Sequence, residues 1–151
     1  MNDDFDAFVD DALYASRAFV ALAVRTMPPT STLTIPQHRA LLELAARGPL
    51  SLSCLSEHMR MPLSNMSRLC DRLISKGLVQ KRISPTSARS IELRVTPDGT
   101  AAIASVLGAR RDELADALGK ISEHDREGFR DALNAIAATL DEPRDLIDLA
   151  E

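Results

Sequence analysis

Ser64, Asn65, Ser67 and Arg68 stand in one short run, with Arg72 and Lys76 one and two helical turns further on. Two hydroxyls, a carboxamide and a guanidinium are donor and acceptor groups of the right length to reach base edges in a DNA major groove. On that chemistry Asn65 suits adenine and Arg68 suits guanine, the choice of base remaining open, while Arg72 and Lys76 suit phosphates. A second feature lies between two β-like runs, where Ser84-Pro85-Thr86-Ser87-Ala88-Arg89-Ser90 puts one arginine at a polar tip. A tip arginine fits a narrow, electronegative minor groove. Lys81, Arg82 and Arg94 read as phosphate contacts or solvated strand positions. The plain alternative for all of these is a solvated polar surface, so the flanking elements and the charge must decide.

The charge is uneven. Residues 54–94 hold eight Lys/Arg against three Asp/Glu, a balance of +5 inside a chain of net charge −4. Residues 1–53 hold four basic and six acidic side chains, and residues 95–151 hold six and thirteen. A basic module in an acidic protein marks a surface for a polyanion.

The elements that must carry this surface are legible from periodicity. A short helix capped by Ser51 carries Leu52, Leu55 and Met59. A second helix from about Leu63 to Ser75 turns Leu63, Met66, Leu69, Cys70 and Leu73 inward, which leaves the polar run on the outside. Gly77 is a left-handed helix stop and Leu78 can fold back over the helix end. Ile91, Leu93 and Val95 alternate with Glu92, Arg94 and Thr96 as a half-buried strand, with Val79–Ile83 as its antiparallel partner. Upstream, Thr34 and Gln37 form a capping box for a helix bearing Leu41, Leu42, Leu44 and Ala45, which stops at Gly48-Pro49. Thr96-Pro97 starts a helix running to Leu118, and Ser122 caps a last one through Leu140. Residues 4–27 form a first helix whose apolar stripe (Phe5, Phe8, Val9, Leu13, Phe19, Val20, Val24) is wider than one neighbour can cover. The fold class is therefore mainly α with a small β-wing. The excess apolar face on the first and last helices predicts a homodimer.

Composition narrows the remaining classes. With 151 residues, 45% apolar and 26% charged, the chain is an ordinary globular protein, and 3% aromatics with no Trp favours aliphatic helical packing. The acidic start is not that of a signal peptide, and no apolar run approaches the roughly 20 residues of a membrane span, so a cytoplasmic location with no membrane partner is expected. Three scattered His and two Cys supply no paired base and nucleophile and no metal set, so neither an enzyme nor a cofactor protein is expected. Cys54 and His58 share a helical face, but two ligands are not a site. Cys70 reads as a core thiol.

The order helix, tight break, helix, two-stranded wing resembles the winged helix of the multiple antibiotic resistance regulator (MarR) family. The matching pieces are Leu33-Thr34-x-x-Gln37, Gly48-Pro49-Leu50-Ser51, Ser67-Arg68-Leu69-x-Asp71-Arg72-Leu73, Lys76-Gly77-Leu78-Val79 and Leu93-x-Val95-Thr96-Pro97-x-Gly99. The resemblance implies a winged helix-turn-helix DNA-binding domain over residues 34–100. It also implies N- and C-terminal dimerisation helices over residues 1–30 and 101–151. The implied function is a ligand-responsive, homodimeric repressor on a pseudo-palindromic double-stranded DNA operator. A winged-helix adaptor that contacts only proteins is the alternative. Two departures stand out: Ser87 replaces the acid of the family's Asp-x-Arg wing tip, and Pro62 occupies the expected N-cap of the reading helix. The family implies a small aromatic or anionic effector in a cleft between dimer and DNA-binding regions; Tyr14, Arg17, His38 and Arg39 are the residues placed to line it. Surface ion pairs or capping contacts are the plain alternative for those four.

Overall fold

A computed structural model describes residues 3–29, 32–85 and 87–143, leaving aside the side chains of Ala88 and Arg89. The elements run α1 (Asp3–Arg25), α2 (Ile35–Arg47), α3 (Leu52–His58), α4 (Leu63–Ser75), β1 (Val79–Ser84), β2 (Ser87–Val95), α5 (Pro97–Leu118) and α6 (Glu123–Thr139). This is the expected mainly helical architecture with one small antiparallel sheet.

Local chemistry sets the boundaries. The Gln37 N–H donates to the Thr34 hydroxyl at 3.4 Å and the Thr34 N–H donates to the Gln37 side-chain oxygen at 3.0 Å, closing the capping box of α2. Gly48, at φ 83°, ends that helix. The Ser51 hydroxyl accepts from the Cys54 N–H at 3.2 Å and starts α3. Pro62 gives α4 no side-chain cap, yet the helix begins directly after it. A missing cap costs about 1 kcal/mol, whereas burying Met66, Leu69, Cys70 and Leu73 contributes roughly 1.5 kcal/mol or more for each large side chain. Packing wins. Leu63, expected to face inward, is instead 50% exposed, because the first turn of α4 projects beyond the core.

The core lies where α2, α3, α4, β2 and α5 meet, with Leu41, Leu55, Met66, Leu73, Leu93 and Ile103 fully buried. Leu50 joins the sheet by exchanging hydrogen bonds with Leu93 at 3.2 and 2.8 Å. α5 is continuous through residues 100 and 101 and sends Ile103 into the core of the reading module.

The wing differs from expectation. β1 and β2 pair in register from Val79↔Val95 to Ile83↔Ile91, and then Ser84 pairs with Ser87. Residues 88–90 are thus extra on β2 and form a bulge. The backbone of Arg89 belongs to that strand and not to the turn at the tip, as the sequence had implied. Ile91, expected to be half-buried, is 58% exposed, and its partner Ile83 is 69% exposed. Beyond Leu93 the ribbon draws away from the body and leaves an open groove between α4 and the wing, so Ile91 is only partly covered.

Gly99 is the most closely packed of the glycines. A Cβ built there would sit 2.3 Å from the carbonyl oxygen of Leu78 and 2.8 Å from Val95 Cγ1. Nearby, the Thr96 hydroxyl donates to the Gly77 carbonyl at 2.6 Å and accepts from the Gly99 N–H at 3.1 Å, joining the ends of α4 and α5. Replacing Gly99 with alanine is expected to cost about 3 kcal/mol of stability, the upper end for overpacking against backbone. Urea unfolding would measure it, and a loss under 1 kcal/mol would contradict this packing.

Outside the core the picture changes. α1 buries only Leu22 and α6 buries no residue, while Phe5, Phe8, Leu13, Phe19, Val20, Ile136 and Leu140 are exposed. The C-terminal end of α1 is held to α5 by Arg110, which donates to the Thr26 hydroxyl at 3.3 Å and the Ala23 carbonyl at 3.4 Å. The Arg25–Glu113 pair at 2.7 Å adds to this. The C-terminal end of α6 is held to α2 by ion pairs: Arg39 contacts Glu142 at 2.6 Å and Arg47 contacts Asp141 at 2.9 Å.

Candidate nucleic-acid interface

α4 is two-faced. Its inner residues are buried, whereas Ser64, Asn65, Arg68, Arg72 and Lys76 are exposed and Ser67 is half-exposed. Asn65, Arg68 and Arg72 share a groove of about 310 Å³ with Thr34, Pro36 and Gln37 from the start of α2. The positive end of the α2 dipole therefore faces the same space as two guanidiniums, an arrangement suited to a phosphate. Periodicity alone does not reveal the share of Thr34 and Gln37 in this groove, because it depends on how α2 crosses α4.

Ser67 looks the other way, into a groove of about 260 Å³ between α4 and the wing, with Leu52, Cys70, Asp71, Lys81, Ile91 and Leu93. Lys81 reaches Asp71 at 3.5 Å, so this strand lysine is partly occupied by the reading helix. Lys76 is also engaged: its ammonium donates to the Thr32 carbonyl and, at 3.3 Å, to Gln37 Oε1. It fastens the end of α4 to the start of α2 and adds positive charge there. The side chain of Arg89 lies outside the described residues.

The comparisons with known proteins point the same way. A sequence model of the MarR family matches residues 31–90. A MarR family protein of Bacillus stearothermophilus superposes with a TM-score of 0.81 at 25% identity, covering 93% of this chain and 98% of that one. Residues 31–90 belong to the MarR family, and MarR-family structure extends over nearly the whole chain.

Two further likenesses extend over nearly the whole MarR-family chain. The solved RV1404 protein of Mycobacterium tuberculosis has a TM-score of 0.85 at 29% identity, over 96% of this chain and 99% of that one. An uncharacterized HTH-type transcriptional regulator of Mycobacterium bovis is 25% identical over 139 residues, 92% of this chain and 97% of its own. Membership assigns the chain to DNA-binding transcriptional regulators with a winged helix.

The residues expected to line an effector cleft are placed as follows. Tyr14, 75% exposed, and Arg17 are exposed on α1, and neither lines a groove described above. Arg39 spends both terminal nitrogens on carboxylates, those of Glu43 and Glu142. His38 is 3% exposed and its buried Nε2 has no hydrogen-bond partner among the described residues. Burial, and secondarily the neighbouring Arg110 and Arg39, lower the His38 pKa to about 4. The folded protein thus holds this imidazole neutral at a pH where the unfolded chain binds a proton. Its contribution to stability is full above about pH 6.5 and falls as pH drops toward 4, a loss on the order of 3 kcal/mol. Relative to His38→Gln, the native chain is expected to lose stability steadily between pH 6.5 and 4. Parallel unfolding free energies for the two proteins across that range would refute it.

Cys54 is exposed and Cys70 is buried beneath α4. Burial, and secondarily the charge of Asp71, pushes the Cys70 thiol up to about 11, which keeps it protonated and unreactive. No cluster of His, Cys, Asp and Glu among the described residues has the form of a metal site, and no described helix is long and apolar enough to cross a membrane.

Sequence reasoning passed over Glu43. It is 1% exposed, and its carboxylate accepts from Arg39 at 2.6 Å and from Arg47 at 2.7 Å. The signal was present in the Arg-x-x-x-Glu-x-x-x-Arg spacing, which puts all three on one face of α2.

Proposed function

We propose that this MarR-family chain is a homodimeric repressor that binds a pseudo-palindromic operator through α4 and releases it when a small aromatic or anionic effector binds. The observation that carries the reading is the α4 surface. Asn65 and Arg68 are exposed beside the start of α2, while the opposite face of the same helix is locked into the core. Asn65 and Arg68 are then base contacts, and Arg72 and Lys76 phosphate contacts, with Arg89 of the wing reaching the adjacent minor groove. The apolar faces of α1 and α6 supply the interface between copies and set two reading helices about one DNA turn apart. The junction of α2 and α5 near His38 and Arg110 is where an effector would act, with Tyr14 and Arg17 brought in by the assembled dimer. A cytoplasmic location follows from this role.

The test is equilibrium binding to the DNA upstream of the protein's own gene, measured against salt. Specific binding is expected near nanomolar at physiological salt and to weaken steeply as salt rises. Arg72→Ala is expected to reduce the slope of log K against log salt by about 2, one phosphate contact from each subunit at roughly 0.9 apiece. Equal affinity for promoter and random DNA would defeat the proposal.

A further inference from the structure

Glu43 and the two arginines that flank it form more than a local ion pair. The buried carboxylate receives Arg39 on one oxygen and Arg47 on the other. Each guanidinium then has a free edge, and the two edges reach two adjacent residues just past α6. Arg39 contacts Glu142 at 2.6 Å, and Arg47 contacts the Asp141 carbonyl at 2.7 Å and its carboxylate at 2.9 Å. A left-handed turn at Asp141, φ 56°, presents this segment to α2. The two ends of the chain of charges belong to different parts of the molecule. α2 is core to the DNA-reading module, whereas α6 buries no residue of its own. α5 is the covalent connection from module to arm, and one helix alone leaves the module free to rock. A second tether 94 to 103 residues away along the chain removes that freedom.

We propose that Glu43 is a positioning residue for DNA reading: through Arg39 and Arg47 it fixes the angle between the reading module and the α6 arm. This rests on the dimeric reading above, in which α6 helps to hold the second copy. The clamp would then set the distance between the two reading helices.

The native thiols offer a test that needs no operator. Cys54 is exposed on α3, within the reading module, while Cys70 is buried, so a nitroxide label goes to Cys54 alone. Spin–spin distances between the two Cys54 labels of the full-length dimer are expected to be narrowly distributed. Asp141→Asn with Glu142→Gln removes the charges of the outer, more exposed half of the clamp and leaves the Asp141 carbonyl contact and the Glu43 pairs in place. That variant is expected to keep its melting temperature within a few degrees and to broaden the distribution at least twofold. Glu43→Gln, if it folds, should broaden it further, and 1 M salt should broaden the native protein by screening the outer pairs. An unchanged distribution in a variant shown by sedimentation to be dimeric overturns the clamp alone. A native protein that sediments as a monomer overturns the dimeric reading and the clamp with it.

Discussion

Replacing Arg68 with glutamate is expected to weaken operator binding by about a thousandfold or more while leaving the fold intact. A bidentate guanidinium on guanine discriminates by about 1–3 kcal/mol. The dimer loses it twice, and the new carboxylate then faces phosphates at both sites. Arg68 is exposed on the outer face of α4 and has no ion pair among the described residues, so its loss removes no internal support. Fluorescence anisotropy with labelled promoter DNA measures the first part and thermal melting by circular dichroism the second. An adaptor that never bound DNA would have no affinity to lose, so the same titration separates the two functional readings. Retained nanomolar affinity in Arg68→Glu would place the reading surface elsewhere.

The second large effect concerns assembly. Phe8→Asp on α1 and Leu133→Asp on α6, made separately, are each expected to weaken the dimer by about a thousandfold. Burying such a side chain contributes roughly 2 kcal/mol, and a two-fold interface contains each position twice. Phe8 is 64% exposed and Leu133 38% exposed in the single chain, so neither change disturbs the subunit core. Analytical ultracentrifugation at micromolar concentration would show monomers. The same variants should bind one half-site weakly, with the steep two-site affinity gone. If both remained dimeric with unchanged dissociation constants, the apolar stripes would serve something other than self-association.

The reading module is largely legible in the amino-acid sequence. Its elements are short, and each is bounded by a residue with a specific backbone role: Thr34, Gly48, Ser51, Gly77 and Thr96. Caps and left-handed stops act within four residues, so local sequence contains their whole cause. The outward set of α4 follows from its helical period, because four buried positions dictate what the remaining ones must face. The wing is less legible. Where Arg89 falls in the ribbon depends on a three-residue bulge whose register is settled by the partner strand. The exposure of Ile83 and Ile91 likewise depends on how far the ribbon extends past the body.

The amino-acid sequence on its own determined the family, the helix order, the basic reading face and the unpartnered apolar stripes of α1 and α6. Each of these rests on interactions between near neighbours or on periodicity, which a linear string records. Only the tertiary structure decided that Thr34 and Gln37 share a groove with Arg68, that His38 is sealed without a partner for Nε2 among the described residues, and that Arg39 and Arg47, both paired with Glu43, reach Glu142 and Asp141 just past α6. Those are meetings of side chains up to a hundred positions apart. They depend on the crossing of packed helices, which no single segment encodes.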